Sequence, residues 1–429
     1  MASPFAPPPT TDGDRTVVTV DVNDVNASLR FDVAAQEATG VATVNFAVDG
    51  PDGHPALDLR QEIDTLTLDG HPLPAEAMAP VDLGGGPDAH LRVLDVALEE
   101  GSRHRLTFAY RLALPDADGA LPVGWGDDGV RFDLWMSDLM PGRYLEMWIP
   151  APLCHDRFAL NVEVEVAGTN RPHLLLTNTT GVVEPALSWV VAYPETFTSL
   201  SPMLVLAPVD EVQWRTRQVD LPGLAHPLEL RSARHVEVDA DLAAVEADVV
   251  GWLSYLHTRY GPWVHGTTMT VLVWGPERGM EYDAATTAAV GALEHEVFHS
   301  WFGRGVKPAR ASDGWIDEAW TTWSTASRRS DEPRFGASDL GLDDDAVLLC
   351  PPHPWSRHTP AASYAAGSRL FSGMAALLGG PDRLRSAMAG FYVAHRGGLV
   401  TTDDLQRHLQ RHTEVDIDPW WTRYVHGQS

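Results

Sequence analysis

Two histidines and a glutamate in the second half of the chain have the types and spacing needed to bind a metal ion and use it. His295, Glu296 and His299 form an H-E-x-x-H motif, which on a helix places both imidazoles one turn apart on the same face. Neutral imidazoles are favoured zinc ligands, and a catalytic zinc normally keeps three protein ligands and one open position. The motif therefore predicts a zinc centre that needs one further protein ligand.

Glu318 is the candidate for that third ligand. Eighteen residues separate His299 from Glu318, which lies in the apolar-rich segment W-I-D-E-A-W-T-T-W after Asp313-Gly314. This segment is predicted to form a second helix, and a carboxylate on a neighbouring antiparallel helix can reach the metal. The sequence thus predicts one Zn2+ per chain, held by His295, His299 and Glu318.

Glu296 is the candidate general base. It follows His295 directly, so its carboxylate projects beside the face that carries the imidazoles. There it can accept a proton from a zinc-activated water during hydrolysis. A bare H-E-x-x-H motif also occurs by chance on solvated helices, so the residues around it decide between the two interpretations.

The residues on both sides of the motif resemble those of a known enzyme family. H-E-V-F-H-S-W-F-G, followed after the eighteen-residue gap by W-I-D-E-A-W, resembles the gluzincin aminopeptidases of the aminopeptidase N and leukotriene-A hydrolase family. That family has G-x-M-E-N before the zinc helix, and Gly279-Met280-Glu281-Tyr282 stands at the matching place. By this resemblance Glu281 binds the free α-amine of the substrate, with Gly279 and Met280 beside it. The alternative is a polar residue at a strand-to-helix junction.

Two further residues are assigned by the same resemblance. Ser363-Tyr364-Ala365-Ala366-Gly367 resembles the family's S-Y-x-K-G segment, so Tyr364 is the candidate hydrogen-bond donor to the oxyanion of the tetrahedral intermediate. M-S-D-L-M-P-G-R-Y resembles a family segment whose glutamine helps to hold the substrate amine, and Asp138 falls at that position. The alternatives are a tyrosine that packs on the core and an aspartate that caps a turn.

The resemblance implies a zinc aminopeptidase that hydrolyses the N-terminal bond of peptides with free N-termini, but the sequence departs from the family pattern. Tyr282, Ser300 and Asp317 replace asparagine, glutamine and asparagine. F-H-S-W-F-G-R-G-V-K-P also resembles the glycyl aminopeptidases, a related gluzincin family, whereas the spacing to Glu318 favours the first family. Two other interpretations stay open: a non-catalytic interaction protein on the same fold, and an endopeptidase or small-molecule hydrolase that uses the same zinc.

The composition limits the binding partners and the cellular location that we expect. The chain has 59 acidic against 31 basic residues and a formal net charge of −28, and Lys307 is its one lysine. Because no basic tract can neutralise phosphates, we expect neither nucleic acid nor an anionic membrane as a partner. No run approaches the length of a membrane-spanning helix, and the N-terminus does not resemble a signal peptide. Cys154 and Cys350 fit no metal spacing, which favours a reducing, cytoplasmic location.

The hydrophobic patterns predict a multidomain α and β protein. Residues 1–15 are predicted to be a loose tail. Residues 16–225 show short runs of period-two alternation, typical of an antiparallel β sandwich or saddle. Residues 226–429 contain helical patterns and one strand, M-T-V-L-V-W-G, before the zinc motif. We expect this part to be a thermolysin-like, mainly α-helical catalytic domain, and the chain to lack the C-terminal helical-repeat domain of many members of the resembled family.

Overall fold

The computed structural model describes residues 3–113, 123–133, 139, 145–181, 184–275, 279–329, 340–341 and 345–428. The protein is a multidomain α/β protein with one large β sheet, and it separates into two compact units. The first unit comprises residues 1–213 and 235–237, and the second comprises residues 214–234 and 238–429. The domain limits predicted from the sequence, 16–225 and 226–429, remain predictions.

The first unit is built from strands, several of which alternate between buried and exposed residues. Its strands are β1 (Thr10–Asp12), β2 (Arg15–Asp32), β3 (Glu37–Asp49), β4 (His54–Leu57), β5 (Ile63–Leu68), β6 (His71–Leu73), β7 (Pro80–Val81), β8 (Leu91–Val93), β9 (Arg103–Arg111), β10 (Val123–Trp125), β11 (Val130–Asp133), β12 (Ala159–Ala167), β13 (His173–Thr177), β14 (Ser188–Tyr193) and β15 (Leu204–Pro208). In β2 and β3 this alternation puts apolar side chains on one buried face, as period-two sequences predict.

Two sheets organise these strands. The large sheet has the order β6-β5-β9-β3-β2-β4-β8-β7, while β1 and β12 also pair with β2, and β14 pairs with β12. Most neighbours are antiparallel, but β12 runs parallel to β2. The smaller sheet has the order β10-β11-β15-β13. Phe132 on β11 packs against Phe31 on β2 and the fully buried Trp148, with ring centroids 5.1 and 5.2 Å away, which joins the two sheets through one apolar core.

The second unit contains a five-stranded sheet that ends beside the predicted zinc helix. Its strands are β16 (Val212–Val219), β17 (Leu228–His235), β18 (Thr268–Val273), β19 (Gly279–Tyr282), β20 (Ala285–Ala288), β21 (Lys307–Pro308) and β22 (Leu399–Val400). The first five form a sheet in the order β16-β17-β18-β20-β19. Strands β17, β18 and β20 are parallel, and β19 turns back antiparallel to β20 at the end of the sheet. The residues of the predicted G-x-M-E segment therefore occupy a terminal strand.

Seven α-helices lie in the described part of the second unit. They are α1 (Leu242–Tyr260), α2 (Leu293–His299), α3 (Trp315–Arg329), α4 (Ser368–Leu378), α5 (Pro381–His395), α6 (Thr402–Gln410) and α7 (Asp418–Tyr424). Sequence signals explain several boundaries: Asp241 caps α1 by accepting from Ala243 N, and Thr401 forms a capping box with Asp404 at the start of α6. None of the helices in the described ranges is long and apolar enough to cross a membrane.

Large aromatic residues fill the core around the helix that carries Glu318. Trp315, Trp320 and Trp323 of α3 are fully buried. Trp320 stacks on Trp323 with ring centroids 5.2 Å apart, and it meets Phe302 edge-on at 5.6 Å. The indole of Trp323 donates to Ser372 Oγ of α4. These contacts fix α3 to its neighbours.

Candidate metal centre and active site

The H-E-x-x-H motif lies on the short helix α2. Leu293, Val297 and Phe298 of this helix are buried, so core packing rather than helix length stabilises it. The four-residue spacing brings His295 and His299 onto one side of the helix, where their Nε2 atoms are 3.0 Å apart. His299 is almost fully buried, whereas the side chain of His295 is 23% exposed.

Glu318 reaches the same point from the first turn of α3. Its Oε2 lies 3.2 Å from His295 Nε2 and 3.5 Å from His299 Nε2. Asp313, just before α3, accepts hydrogen bonds from both the backbone N and Oγ1 of Thr402 at 2.8 Å, which anchors the start of α3. The amino end of a helix favours a negative charge, so the helix also supports the ionised form of Glu318.

The three side chains fit a tetrahedral zinc ion with one open position. Ligand bonds of about 2.0–2.1 Å at tetrahedral angles separate donor atoms by roughly 3.3 Å, close to the observed separations of 3.0 to 3.5 Å. His299 Nδ1 lies 3.2 Å from Phe302 O and can donate to it, so that in the neutral imidazole the lone pair of Nε2 is directed at the common centre. The predicted ligands are thus brought together; that they bind metal remains a prediction.

The charges of these residues are strongly coupled. Burial lowers the pKa of His299, but the carboxylates of Glu281 and Glu318 outweigh burial and hold that pKa well above its usual value. Burial raises the pKa of Glu318, but His299 and the hydrogen bonds from both imidazoles outweigh burial and hold it well below its usual value. Glu318 is therefore ionised at neutral pH.

Glu296 is buried beside the two histidines, in a space that Gly279 keeps open. A β-carbon on Gly279 would lie 2.2 Å from Glu296 Oε1, so only glycine at the start of β19 allows the carboxylate its position. Carboxylate oxygens of Glu281 and Glu296 and a nitrogen of His299 all lie within 4.8 Å of one another. Burial, and then the charge of Glu281, raises the pKa of Glu296 well above its usual value.

Glu281 lies on β19 and is paired with a cation that the sequence reasoning missed. Arg304 Nη2 is 2.8 Å from Glu281 Oε1, and the two side chains are only 2% and 5% exposed. Nothing in the local sequence pattern F-G-R-G distinguishes Arg304 from a surface arginine, because its partner is distant in the chain. The neighbouring Met280 is also buried, and its carbonyl accepts from Thr286 Oγ1 at 2.9 Å.

Tyr364 faces one of the histidines, and Asp138 lies outside the described residues. Tyr364 lies in a π-helical turn, Ser363–Gly367, a departure from regular helix that often marks functional sites. Its ring stacks near that of His295, with centroids 6.1 Å apart and an interplanar angle of 23°. A β-carbon on Gly367 would lie 2.5 Å from Ala319 Cβ, so this glycine lets the turn pack against α3. Both features bring Tyr364 to the predicted metal centre.

The chain has an M1 aminopeptidase-like fold. It is similar to an M1 zinc metallopeptidase from Deinococcus radiodurans, with a TM-score of 0.64 and 16% sequence identity over 96% of this chain and 95% of that one. Legionella pneumophila aminopeptidase A in complex with aspartic acid gives a TM-score of 0.68 at 12% identity, with 98% of this chain and 51% of that one covered. Yeast LTA4 hydrolase gives a TM-score of 0.63 at 14% identity, with 94% of this chain and 68% of that one covered.

These likenesses concern the fold, since the identities are between 12% and 17%. A comparison of the sequence with protein-family models and with curated proteins finds no match. Of these neighbours, the Deinococcus radiodurans protein is described as a zinc metallopeptidase. The activity of this chain has to be argued from its own residues.

Proposed function

We propose that this protein is a zinc-dependent aminopeptidase that hydrolyses the N-terminal bond of peptides. One observation carries the proposal: the nitrogens of His295 and His299 and an oxygen of Glu318 converge on one point, with Glu296 and Glu281 beside it. Two imidazoles and one carboxylate are a ligand set of catalytic zinc. The alternative on the same fold, a non-catalytic interaction protein, has no need of this convergence.

The chain's own groups divide the chemical work. A bound zinc would supply a Lewis acid that polarises the scissile carbonyl and activates water. Glu296 accepts a proton from the attacking water and delivers it to the leaving amine nitrogen. Its raised pKa suits the first of these steps, since a carboxylate that accepts a proton from water must not be too weak a base. Tyr364 donates a hydrogen bond to the developing oxyanion.

Substrate binding uses the terminal strand β19. Its pairing with β20 leaves it at the end of the sheet order, so an extended peptide can add alongside it through backbone hydrogen bonds. Glu281 on this strand accepts from the free α-ammonium group and excludes chains that continue beyond it. A solved mutant of the Deinococcus radiodurans enzyme, similar to this chain with a TM-score of 0.65, is bound to a Tyr-Ser-Ala substrate, which supports a peptide substrate here.

The remaining parts of the proposal concern organisation and environment. The second unit acts as the thermolysin-like catalytic domain and the first as an all-β domain. The protein binds one zinc ion per chain and works in the cytoplasm on peptides with free N-termini, without nucleic acid or membrane as partners. The net charge of −28 supports the exclusion of polyanions.

The deciding experiment compares free and blocked substrates on protein of measured zinc content. We expect about one zinc per chain and hydrolysis of aminoacyl-arylamides, with no hydrolysis of their N-acetyl counterparts. Zinc-loaded protein that hydrolyses neither class would favour the interaction protein. Equal rates on both classes would favour an endopeptidase or another zinc hydrolase and would refute the role given to Glu281.

A further inference from the structure

Arg304 binds Glu281 through both its side chain and its backbone. Besides the 2.8 Å contact of Nη2 with Glu281 Oε1, Arg304 Nε donates to the backbone carbonyl of Glu281 at 3.3 Å. A third guanidinium nitrogen, Nη1, donates to Gly303 O at 3.1 Å. The guanidinium thus donates to three acceptors, two of them on Glu281, and leaves that residue little freedom.

The same arginine is tied directly to the metal helix. Its backbone N donates to His299 O at 2.9 Å, and Gly303 before it has a positive φ of 111°, a conformation that favours glycine. A β-carbon on Gly303 would lie 2.6 Å from Asp317 Oδ2. The loop after α2 is therefore folded tightly enough to aim Arg304 back at β19, which links the predicted zinc ligand His299 to Glu281 over a short path.

A second buried ion pair in the same loop serves as a structural comparison. Lys307 Nζ lies 2.7 Å from Asp283 Oδ2, and both side chains are 5% exposed. Glu281, the partner of Arg304, lies within β19, and Asp283 directly follows this strand. Two cations of one loop therefore bind two carboxylates of one β-hairpin. The two pairs differ in their surroundings: an oxygen of Glu281 also lies within 4.8 Å of Glu296 and His299.

This difference indicates what the Arg304 pair does. A buried carboxylate that only stabilised the fold would not need to stand beside the reacting groups. A carboxylate that accepts a hydrogen bond from a ligand's ammonium group must lie beside the reacting groups, and it must present one oxygen in a fixed direction. Since Arg304 occupies Oε1, the second oxygen is the one free to turn toward a ligand, and the grip on the backbone carbonyl fixes the strand that carries it.

We propose that Arg304 is a positioning residue for amine recognition: it holds Glu281 so that one carboxylate oxygen receives the substrate's α-ammonium group. The proposal rests on the aminopeptidase function proposed above. It predicts that weakening the contact between Arg304 and Glu281 lowers the preference for ligands with a free amine. The binding of zinc and of ligands without an amine should change little.

The test uses zinc-loaded full-length protein and two probes, L-leucine hydroxamate and its des-amino counterpart, isocaproyl hydroxamate. The ratio of their dissociation constants measures amine recognition, because both carry the same metal-binding group. We expect Arg304→Lys to reduce this ratio about tenfold, as expected for the loss of a hydrogen bond to a charged group, with unchanged zinc content. Glu281→Gln should abolish the preference, and Arg304→Lys added to Glu281→Gln should change the ratio no further.

A matched control removes the neighbouring pair. The double variant Lys307→Met with Asp283→Asn leaves neither charge of that pair behind, and we expect it to keep the wild-type ratio even if its stability falls. Arg304→Lys retains the cation, so it avoids leaving Glu281 buried without one.

The possible results separate the two proposals. A wild-type ratio in Arg304→Lys would overturn the positioning role, as would a similar reduction in the control or a further reduction in the Glu281→Gln background. In these cases the aminopeptidase function would stand, because wild-type and Glu281→Gln proteins would still differ. A wild-type protein that prefers neither probe, with no change in Glu281→Gln, would overturn both proposals.

Discussion

Among the residues that the structure describes, two overlapping groups of side chains could hold a metal ion, and they share His299. One group consists of His295, His299 and Glu318, and the other of Glu281, Glu296 and His299. The first offers two imidazoles and a carboxylate whose pKa is held low by the histidines. In the second, Glu281 already has Arg304 as its cation, and the pKa of Glu296 is raised by burial and by Glu281.

This comparison shows how charge compensation separates two kinds of buried carboxylate. A carboxylate that already has a guanidinium partner has part of its charge neutralised and is held in place. Donor atoms that converge with lone pairs toward one point instead call for a cation from outside the chain. We therefore propose that the group with Glu318 binds the metal, and that the group with Glu281 and Glu296 serves proton transfer and amine binding.

The largest expected effect is the loss of zinc, and it tests which of the two groups binds the metal. Glu318→Ala should lose most bound zinc and nearly all activity, because one of three ligands is gone. Glu281→Ala, which removes an equally buried carboxylate of the other group, should keep its zinc. Metal analysis of both purified variants by mass spectrometry checks this prediction. Full zinc occupancy in Glu318→Ala, or loss of zinc in Glu281→Ala, would reverse the assignment.

The second prediction tests whether Glu296 acts on protons rather than on the metal. Glu296→Gln keeps the shape of the side chain but removes the base, so turnover should fall by about 10²–10⁴-fold. Zinc content and the far-ultraviolet circular dichroism spectrum should match those of the wild type. Turnover within a few-fold of the wild type would exclude Glu296 as the general base.

The sequence predicted the elements that carry the candidate ligands because those elements are local. The helical period and the Asp313-Gly314 signal placed Glu318 on a helix, as α3 confirms. The alternating pattern of the first part of the chain is confirmed by strands such as β2 and β3. Motif spacing sufficed because residues four apart on one helix are necessarily neighbours.

What the sequence could not show is pairing between segments. Arg304 meets Glu281 across 23 residues of chain, and no periodicity encodes a contact between a loop and a terminal strand. The role of Gly279 as space for Glu296 was equally hidden, because it depends on how closely β19 approaches α2. The π-helical turn around Tyr364 also has no signature of its own in composition. These three features require tertiary structure.

The third prediction concerns the close approach of Gly279 to Glu296. Gly279→Ala would place a methyl group on Glu296 Oε1, and because a carboxylate on a flexible side chain can rotate away, the protein should still fold. The displaced base should lower turnover by about 10²-fold, the cost of an ångström-scale misplacement, with zinc retained. As a control, Gly291→Ala should have little effect, since no atom other than those of its chain neighbours lies within 4 Å of a β-carbon there. Equal activities of the two variants would show that Gly279 does not set the position of Glu296.

The smallest expected effect is the number of protons released when zinc binds, and it depends on the shared residue His299. In protein stripped of zinc by a chelator, the charges of Glu281 and Glu318 outweigh burial and keep the pKa of His299 well above its usual value, so its imidazole is protonated at pH 7. Zinc requires the neutral imidazole, and its binding should release about one proton or more. The affinity for zinc should accordingly rise with pH. Calorimetric titration at pH 7 in two buffers of different ionisation enthalpy measures the release, and identical heats in both buffers would mean that His299 is not the titrating ligand of the metal group.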